Sequence, residues 1–414
     1  MSNEIENDLP KREKNEPLIN NNNNNNKITL DISPKTKNIL LLILIFGLII
    51  IITISFIISL KSYKSKKEEK NYIIAKYNEE NGNDVKLFES KYTNLISLIK
   101  VDGTSMSFIS DYIHFNLSGT HTVELHFKQE LNSTSQMFEF CLNLIEVDLS
   151  NLITNNIKSM KDMFFSCEAL TIVNFNNFNS KKLTNMRGLF FDCLLLNSVN
   201  LQNLDTSNVE DMRELFHRCE ELKEINLANF KTNNLKYMNK MFYDCYSLQS
   251  IDLSNFDTSK VVDMEGLFDL CSNIKNINIK NFDTSKVTDM SYMFGANFIL
   301  ESIDLNNFNT KEVTKMINMF YNCESLTSID LKNFDTNKVE YMGEMFGKCQ
   351  NLKFVDIRNF KSESLKERKN LFAEINSTNI NFTRIIYYDP NKFDKNIFNY
   401  TNLENWTIID VTEE

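Results

Sequence analysis

Apolar residues recur along this 414-residue chain with a fixed period of 26 residues. Counted from Thr134, nine complete units follow one another without a gap and end at Glu367, and a degenerate tenth unit begins at Arg368. The fifth position of every complete unit is phenylalanine, namely Phe138, Phe164, Phe190, Phe216, Phe242, Phe268, Phe294, Phe320 and Phe346. A strict period of this length predicts stacked repeats, because one such unit cannot bury its apolar side alone.

Two shorter periodicities share each unit. In the fifth unit, Ile251 and Leu253 alternate with polar residues, which predicts a short strand with one buried face. Residues 261–271 then place apolar side chains at i, i+3, i+6, i+7 and i+10, which predicts one face of a helical segment. Thr258, or Ser259 beside it, is the candidate N-cap of that segment. The pattern leaves open whether the segment is α-helical or 3-10.

A polar corner joins the two periodic segments. It reads NFDTSKVTDM at residues 281–290 and recurs with small changes at 203, 255, 307 and 333. The first residue of this corner, position 18 of the unit, is asparagine in all nine units. Asparagine and aspartate favour turns because their side chains hydrogen-bond nearby backbone. With about 4.8 Å per stacked strand, nine units predict a core roughly 40–45 Å long.

The repeat, written MxxMFxxCxxLxxIDLxNFDTSKVxD, resembles the 26-residue unit of BspA-like leucine-rich-repeat surface proteins, a type found in many mycoplasma surface proteins. The resemblance covers residues 134–367. It implies an α/β fold, a right-handed leucine-rich-repeat solenoid with a strand plus a short helix or 3-10 segment in each unit. It also implies display at a cell surface, with adhesive or host- and matrix-protein-binding roles, and it implies no catalytic residues.

An uncharged apolar run, Ile39–Leu60, precedes the repeats. As a helix it would reach about 33 Å, enough to cross the core of a bilayer. The run is longer than the apolar part of a signal peptide and shows neither the polar stripe of a core helix nor a small-residue cleavage site. We therefore predict one transmembrane helix at residues 38–60. Five lysines follow the run between residues 61 and 70 against three before it, and this count favours a cytoplasmic C-terminal part.

The remaining segments complete the predicted organisation. Residues 1–37, with an asparagine run at 20–26, are predicted to be a disordered tail. A charged stalk is predicted at 61–90, an N-terminal cap at 91–133, nine repeats at 134–367 and a C-terminal cap at 368–414.

Composition excludes some classes of function. The formal net charge of −10 argues against nucleic acid as a main partner, since phosphate binding requires a basic patch. No nucleophile elbow, P-loop, zincin helix or dinucleotide fingerprint occurs in the sequence. Repetition also yields equivalent surfaces and not one asymmetric pocket. We predict a protein that is not an enzyme and needs no cofactor.

A column of cysteines occupies position 8 of the units. Its members are Cys141, Cys167, Cys193, Cys219, Cys245, Cys271, then Asn297, then Cys323 and Cys349. A metal site is disfavoured by the spacing of 26 residues. Neighbouring coils would bring the sulfur atoms within reach of disulfide formation. Buried free thiols are the favoured interpretation, because the amide of Asn297 can fill the same position and hydrogen-bond the backbone but cannot form a bridge.

Three further groups of residues are candidates for sites. His114, His121 and His126 precede the repeats and could bind a metal only if a strand gathers them, which we do not predict. The outward strand position, number 15 of the unit, forms a column of acids and amides on a face expected to be concave. It reads Asp148, Asn174, Asn200, Asn226, Asp252, Asn278, Asp304, Asp330 and Asp356. Its five aspartates are the predicted binding residues, against the alternative that they are simply hydrated.

Six sequons flank the repeats, beginning at Asn116, Asn132, Asn376, Asn381, Asn399 and Asn405. They are possible glycosylation sites. Together with the resemblance they favour a single-pass membrane protein with the repeats outside the cell, binding a protein or glycan ligand through the strand face. The alternative is a cytosolic scaffold tethered to the membrane in the reverse orientation, which the lysine count favours.

Overall fold

The structure is a computed structural model that describes residues 33–64, 70–80, 82–367, 371–375, 384–394 and 406–411. The chain divides into two compact units, Met1–Glu69 and Lys70–Glu414. In the first, helix α1 spans Pro34–Lys64 and contains the predicted transmembrane segment, although the side chains of 40 and 56–60 lie outside the described residues. Over the described residues, no helix combines the length and apolar character that crossing a membrane requires.

The second unit begins with a sheet at the predicted stalk. Strand β1, Tyr72–Glu79, pairs antiparallel with β6, Gly119–Phe127, and with β7, Leu144–Asp148. The prediction of a stalk at 61–90 is therefore wrong for its second half. Ile73, Ala75 and Tyr77 are buried and alternate with partly exposed residues, among them Lys76 and Asn78, so this segment is a strand with one buried face. The cap begins near Lys70.

The other cap elements are short. Strand β2, Asp84–Lys86, pairs with β5, Tyr112–His114, and β3, Ile96–Val101, pairs with β4, Thr104–Ser105. A 3-10 helix at Ser90–Leu95 connects them. Strand β7 belongs to the first repeat and continues in parallel to β8, Ile172–Asn174, so the cap sheet covers the first coil of the repeat stack.

The repeats form a β-solenoid of about nine turns with little helix. Short parallel strands lie at the predicted place in several units: β9, Ser250–Asp252, pairs with β10, Asn276–Asn278, and β11, Ser328–Asp330, pairs with β12, Phe354–Asp356. On a second side, parallel bridges join nine residues spaced 26 apart, from Ser133 to Tyr341. Each unit is thus one coil of the stack, and we number the coils 1 to 9 from Thr134.

The segment predicted to be helical, which includes the first eight positions of each coil, is not helical. Its third and seventh positions have positive φ, between 49° and 63°, in all nine coils. Such alternation is incompatible with a helix, in which every residue is right-handed. In coil 1, the N–H of Phe138 donates to Met163 in the next coil (2.9 Å), while the N–H of Cys141 donates back to Phe138 (3.0 Å). We call this segment, positions 1 to 8, the turn ladder.

The apolar core runs through the stack as columns. The nine position-5 phenylalanines are fully buried, and neighbouring rings stack with centroids 5.5–5.9 Å apart. Phe372 continues the column at 5.2 Å, as the degenerate tenth unit predicts. The predicted register, in which residues one period apart lie above one another, is confirmed by these contacts.

Polar columns join the coils as well. The N–H of Asp283 donates to the Thr258 hydroxyl at 2.8 Å, and that hydroxyl donates to the Asp283 carbonyl at 2.9 Å. Thr258 therefore connects two coils, and its prediction as a helix N-cap is wrong. In most coils the invariant asparagine at position 18 donates to a backbone carbonyl of the preceding coil, as Asn281 does to Ser254 at 2.7 Å.

The described end of the stack extends the last sheet. Strand β12 pairs in parallel with β13, Arg384–Tyr388, which pairs with β14, Trp406–Asp410. The predicted C-terminal cap thus contains two further parallel strands, and Trp406 packs near Phe372 with ring centroids 5.1 Å apart.

Candidate binding face

The strand face exposes the column of position-15 residues that the sequence predicts as a binding surface. In all nine coils, the Oδ1 atom at this position accepts the N–H group two residues further on. This is an Asx turn, which holds the chain as it leaves the strand. The column therefore has a structural role in every coil.

The five predicted aspartates differ in how many hydrogen bonds and ion pairs their carboxylates already form. Asp356 is 5% exposed and binds the guanidinium of Arg358, and Asp330 pairs with Lys332 at 2.7 Å. The hydrogen bond from Lys332 lowers the pKa of Asp330. Asp252 accepts a second hydrogen bond, from the Asn278 amide at 3.0 Å, as Asp148 does from Asn174. The C-terminal part of the column is thus internally neutralised, whereas the middle is polar and open.

A groove of about 690 Å³ opens on the middle of this face, across coils 3, 4 and 5. It coincides with a gap in strand pairing on this face: between β8 and β9, residues that the structure describes throughout, no paired strand forms, and the bridges on the second side join these coils. Coil 7 also lacks a paired strand. The groove is lined by polar side chains over Val199 and Ile225.

Three aromatic columns differ in how closely their rings stack. Stacked rings at position 6 of the turn ladder have centroids 4.1–4.5 Å apart, those at position 5 are 5.5–5.9 Å apart, and those at position 19 are 6.3–6.5 Å apart. The rings at position 6 are therefore the most closely stacked of the three columns.

The cysteine column is buried and free of bridges. All eight residues are free thiols, and seven of them donate to the carbonyl of the position-5 phenylalanine in the preceding coil, at 2.9–3.2 Å. Burial raises their pKa, to about 12 at Cys323. Asn297 fills the same position and donates to Phe294 in its own coil at 3.0 Å. The thiols act as small buried donors and are poor nucleophiles.

The three histidines of the cap do not converge. His121 contacts Asp102 at 2.8 Å, His126 contacts Glu124 at 2.8 Å, and His114 contacts Asp84 at 3.3 Å. Burial alone would lower the pKa of His121, but the hydrogen bond to Asp102 raises it above its ordinary value. Each histidine thus has its own carboxylate partner, and no group of three or more metal-ligating side chains occurs in the described part of the chain.

Position 6 holds a second aromatic column that the sequence analysis missed. The rings of Phe165, Phe191, His217 and Tyr243 stack face to face along the turn ladder. The column ends at Asp269, whose Oδ1 atom lies over Gly295, where a Cβ atom would come within 2.5 Å of it. The signal was available as four consecutive aromatic or imidazole residues at one position of the unit.

Asp269 gives a pH-dependent prediction. Burial raises the pKa of its carboxyl to about 7, against about 3.9 in an unfolded chain. Between these values the folded state binds more protons, so this residue should make stability fall as the pH rises from about 4 to about 7. Asp269→Asn should therefore stabilise the protein at pH 8 by about 1–3 kcal/mol and leave it nearly unchanged at pH 4.

Urea unfolding of both proteins across this pH range would measure the difference. Asp304→Asn is the matched control, because asparagine fills the same turn position at Asn174. A pH-independent gain in the Asp269 variant would contradict the prediction.

The sequons fall partly outside the described residues. Asn116 and Asn132 lie in the cap segment before the first coil. Asn376, Asn381, Asn399 and Asn405 lie outside the part of the chain that the structure describes.

Comparison with known families gives one clear match. A family model described as "Mycoplasma protein of unknown function, DUF285" matches residues 112–200, 132–251, 160–276, 189–303 and 262–385. Together the matches span more than half of the chain. The chain belongs to the DUF285 family. The DUF285 matches overlap because the repeated unit fits the model in several registers. No curated protein and no solved structure was found that matches this DUF285 chain.

Proposed function

We propose that this protein is a membrane-anchored surface protein whose solenoid binds proteins or glycans through its strand face, without catalytic activity. The observation that carries the proposal is the open groove on that face, lined by polar and apolar side chains of three successive coils. Binding surfaces of repeat proteins extend over several units in this way. The five position-15 aspartates, now seen as turn residues, contribute to the rim of this face.

The anchor and its orientation are part of the same proposal. In this proposal the uncharged run Ile39–Leu60 is the anchor, because its 22 residues match the length of a membrane span, and the repeats that follow it lie on one side of the membrane. The resemblance to BspA-like surface proteins favours the outside. The excess of lysines after the run favours the second candidate, a cytosolic scaffold held at the membrane.

Epitope tags at the two ends of the chain distinguish these candidates. In intact cells, we expect a tag after Glu414 to bind antibody and a tag before Met1 to bind only after permeabilisation. Protease treatment of intact cells should remove the repeats while a cytosolic marker stays whole. The opposite labelling, with repeats protected until lysis, would exclude the surface role and establish the scaffold.

A further inference from the structure

We infer that the groove across coils 3 to 5 binds a neutral saccharide. This inference rests on the proposed function, because it names the ligand class of the same strand face. The groove has a volume of about 690 Å³, which is within the range of small-ligand sites. The hydrogen-bond donors and acceptors of its lining determine which class of ligand it can bind.

Two amide side chains at position 15, Asn200 and Asn226, use their oxygen atoms but not their N–H groups in hydrogen bonds among the described residues. The Oδ1 atoms of Asn200 and Asn226 accept the turn N–H groups of Gln202 and Ala228, at 3.1 and 3.0 Å. Among the hydrogen bonds of the described residues, none involves their Nδ2 groups, and both side chains are exposed. The turn therefore fixes each amide with its two N–H donors available to a ligand in the groove.

Acceptors lie beside these donors. Glu224 is exposed at position 13 of coil 4, and it forms no ion pair or hydrogen bond among the described residues. Asp252 accepts the Ser254 N–H and the Asn278 amide through Oδ1 and also hydrogen-bonds the Ser254 side chain, and a carboxylate with these partners still has acceptor capacity for a ligand. No lysine or arginine lines the groove. The lining thus presents alternating amide donors and carboxylate acceptors.

A hydroxyl group matches such a lining better than a cation does. A hydroxyl donates one hydrogen bond and accepts two, so one sugar hydroxyl can bind a carboxylate and an amide together. A lysine or arginine side chain has donors alone, so it would satisfy the carboxylates and leave the amide N–H groups without partners. A phosphate or sulfate would meet two carboxylates and no cation. The donor and acceptor pattern therefore favours a neutral polyhydroxyl ligand.

The test uses full-length protein in a detergent without a sugar headgroup. Saturation-transfer NMR would screen neutral oligosaccharides of glucose, galactose, mannose and N-acetylglucosamine, followed by titration. We expect at least one to bind with Kd below about 10 mM. The double variant Asn200→Asp with Asn226→Asp should weaken that binding about tenfold, because two amide donors are lost.

The substitution leaves the turns intact. Aspartate caps the same turn at Asp304, Asp330 and Asp356, three successive coils, so the column tolerates neighbouring acids. Asn309→Asp, at the polar corner and outside the groove lining, is the control and should leave Kd unchanged, because aspartate caps the same turn at Asp283 and Asp335. Unaltered binding in the double variant would overturn the assignment to this groove.

The same variant separates a saccharide from a basic peptide. A lysine-rich peptide of similar length is the second probe, and the added carboxylates should strengthen its binding. Absence of sugar binding, with peptide binding that the double variant improves, would replace the saccharide by a cationic partner. Because purified protein is used, a failure here is distinguishable from a failure of the cell-surface labelling, which tests the topology alone.

Discussion

Replacing Phe242 by alanine should lower the free energy of unfolding by about 3–5 kcal/mol. The ring is fully buried and stacks between Phe216 and Phe268, each with a centroid distance of 5.7 Å. Its loss leaves a cavity in the middle of the stack, since the rings above and below are held by their own coils. Urea and thermal unfolding followed by circular dichroism would measure the change.

Tyr246→Ala is the control for this prediction. Its side chain is 53% exposed, so its removal should change stability by less than about 0.5 kcal/mol. Each coil contacts only the coils directly before and after it. The Phe242 variant should therefore also unfold less cooperatively, because the two halves of the stack can unfold separately on either side of the cavity. An unchanged melting curve would show that the position-5 column does not carry the core.

Thr258→Val should destabilise the protein by about 2–4 kcal/mol, although valine has nearly the same shape. The hydroxyl is 1% exposed, accepts the N–H of Asp283 and donates to its carbonyl. Valine leaves both backbone groups without a partner in a dry part of the stack, and buried polar groups are costly when unpaired. Equilibrium unfolding in urea gives the magnitude.

Thr258→Ser tests whether the hydroxyl or the methyl group matters. Serine at the same position in coil 2, Ser180, accepts the N–H of Asp205 at 2.6 Å. We therefore expect Thr258→Ser to keep most of the stability, with a loss near 1 kcal/mol for the missing methyl group. Equal losses in the valine and serine variants would assign the effect to packing.

The period and the columns were predictable because a side chain at one position of the unit must contact the side chain at the same position in the next coil. Phe242 could be assigned to the core from spacing alone. The strands could also be placed, since Ile251 alternates with polar neighbours. Cysteine burial followed from the substitution at Asn297, where an amide takes the same place.

The turn ladder could not be predicted from the same spacing. Apolar residues three and four apart reach one side both in a helix and in successive tight turns with hydrogen bonds from i to i−3. The deciding feature is positive φ at residues such as Gln136 and Phe140, which are not glycines and carry no sequence signal for it. The available hints were glycine at the third position in two coils, Gly188 and Gly266, and Asn or Asp at several equivalent positions, such as Asp162 and Asn318.

The groove could not be predicted from the sequence either. Its coils read Ser198–Val199–Asn200 and Glu224–Ile225–Asn226, the same alternation as in coil 5, where a strand forms. The pattern fixes which side chains face outward but not how far adjacent coils separate. The role of position 15 was likewise hidden, because an exposed Asp gives no indication that it binds its own backbone.

The hydrogen bonds between nearly identical neighbouring coils have an evolutionary consequence. Thr258 bonds to the coil that follows, and Asn281 bonds to the coil that precedes it, through contacts that recur at most junctions. Excising or duplicating a whole 26-residue block therefore joins two surfaces that already fit. Unequal recombination within the gene can lengthen or shorten this protein while the junctions stay intact, so related chains can differ in reach without any new packing solution.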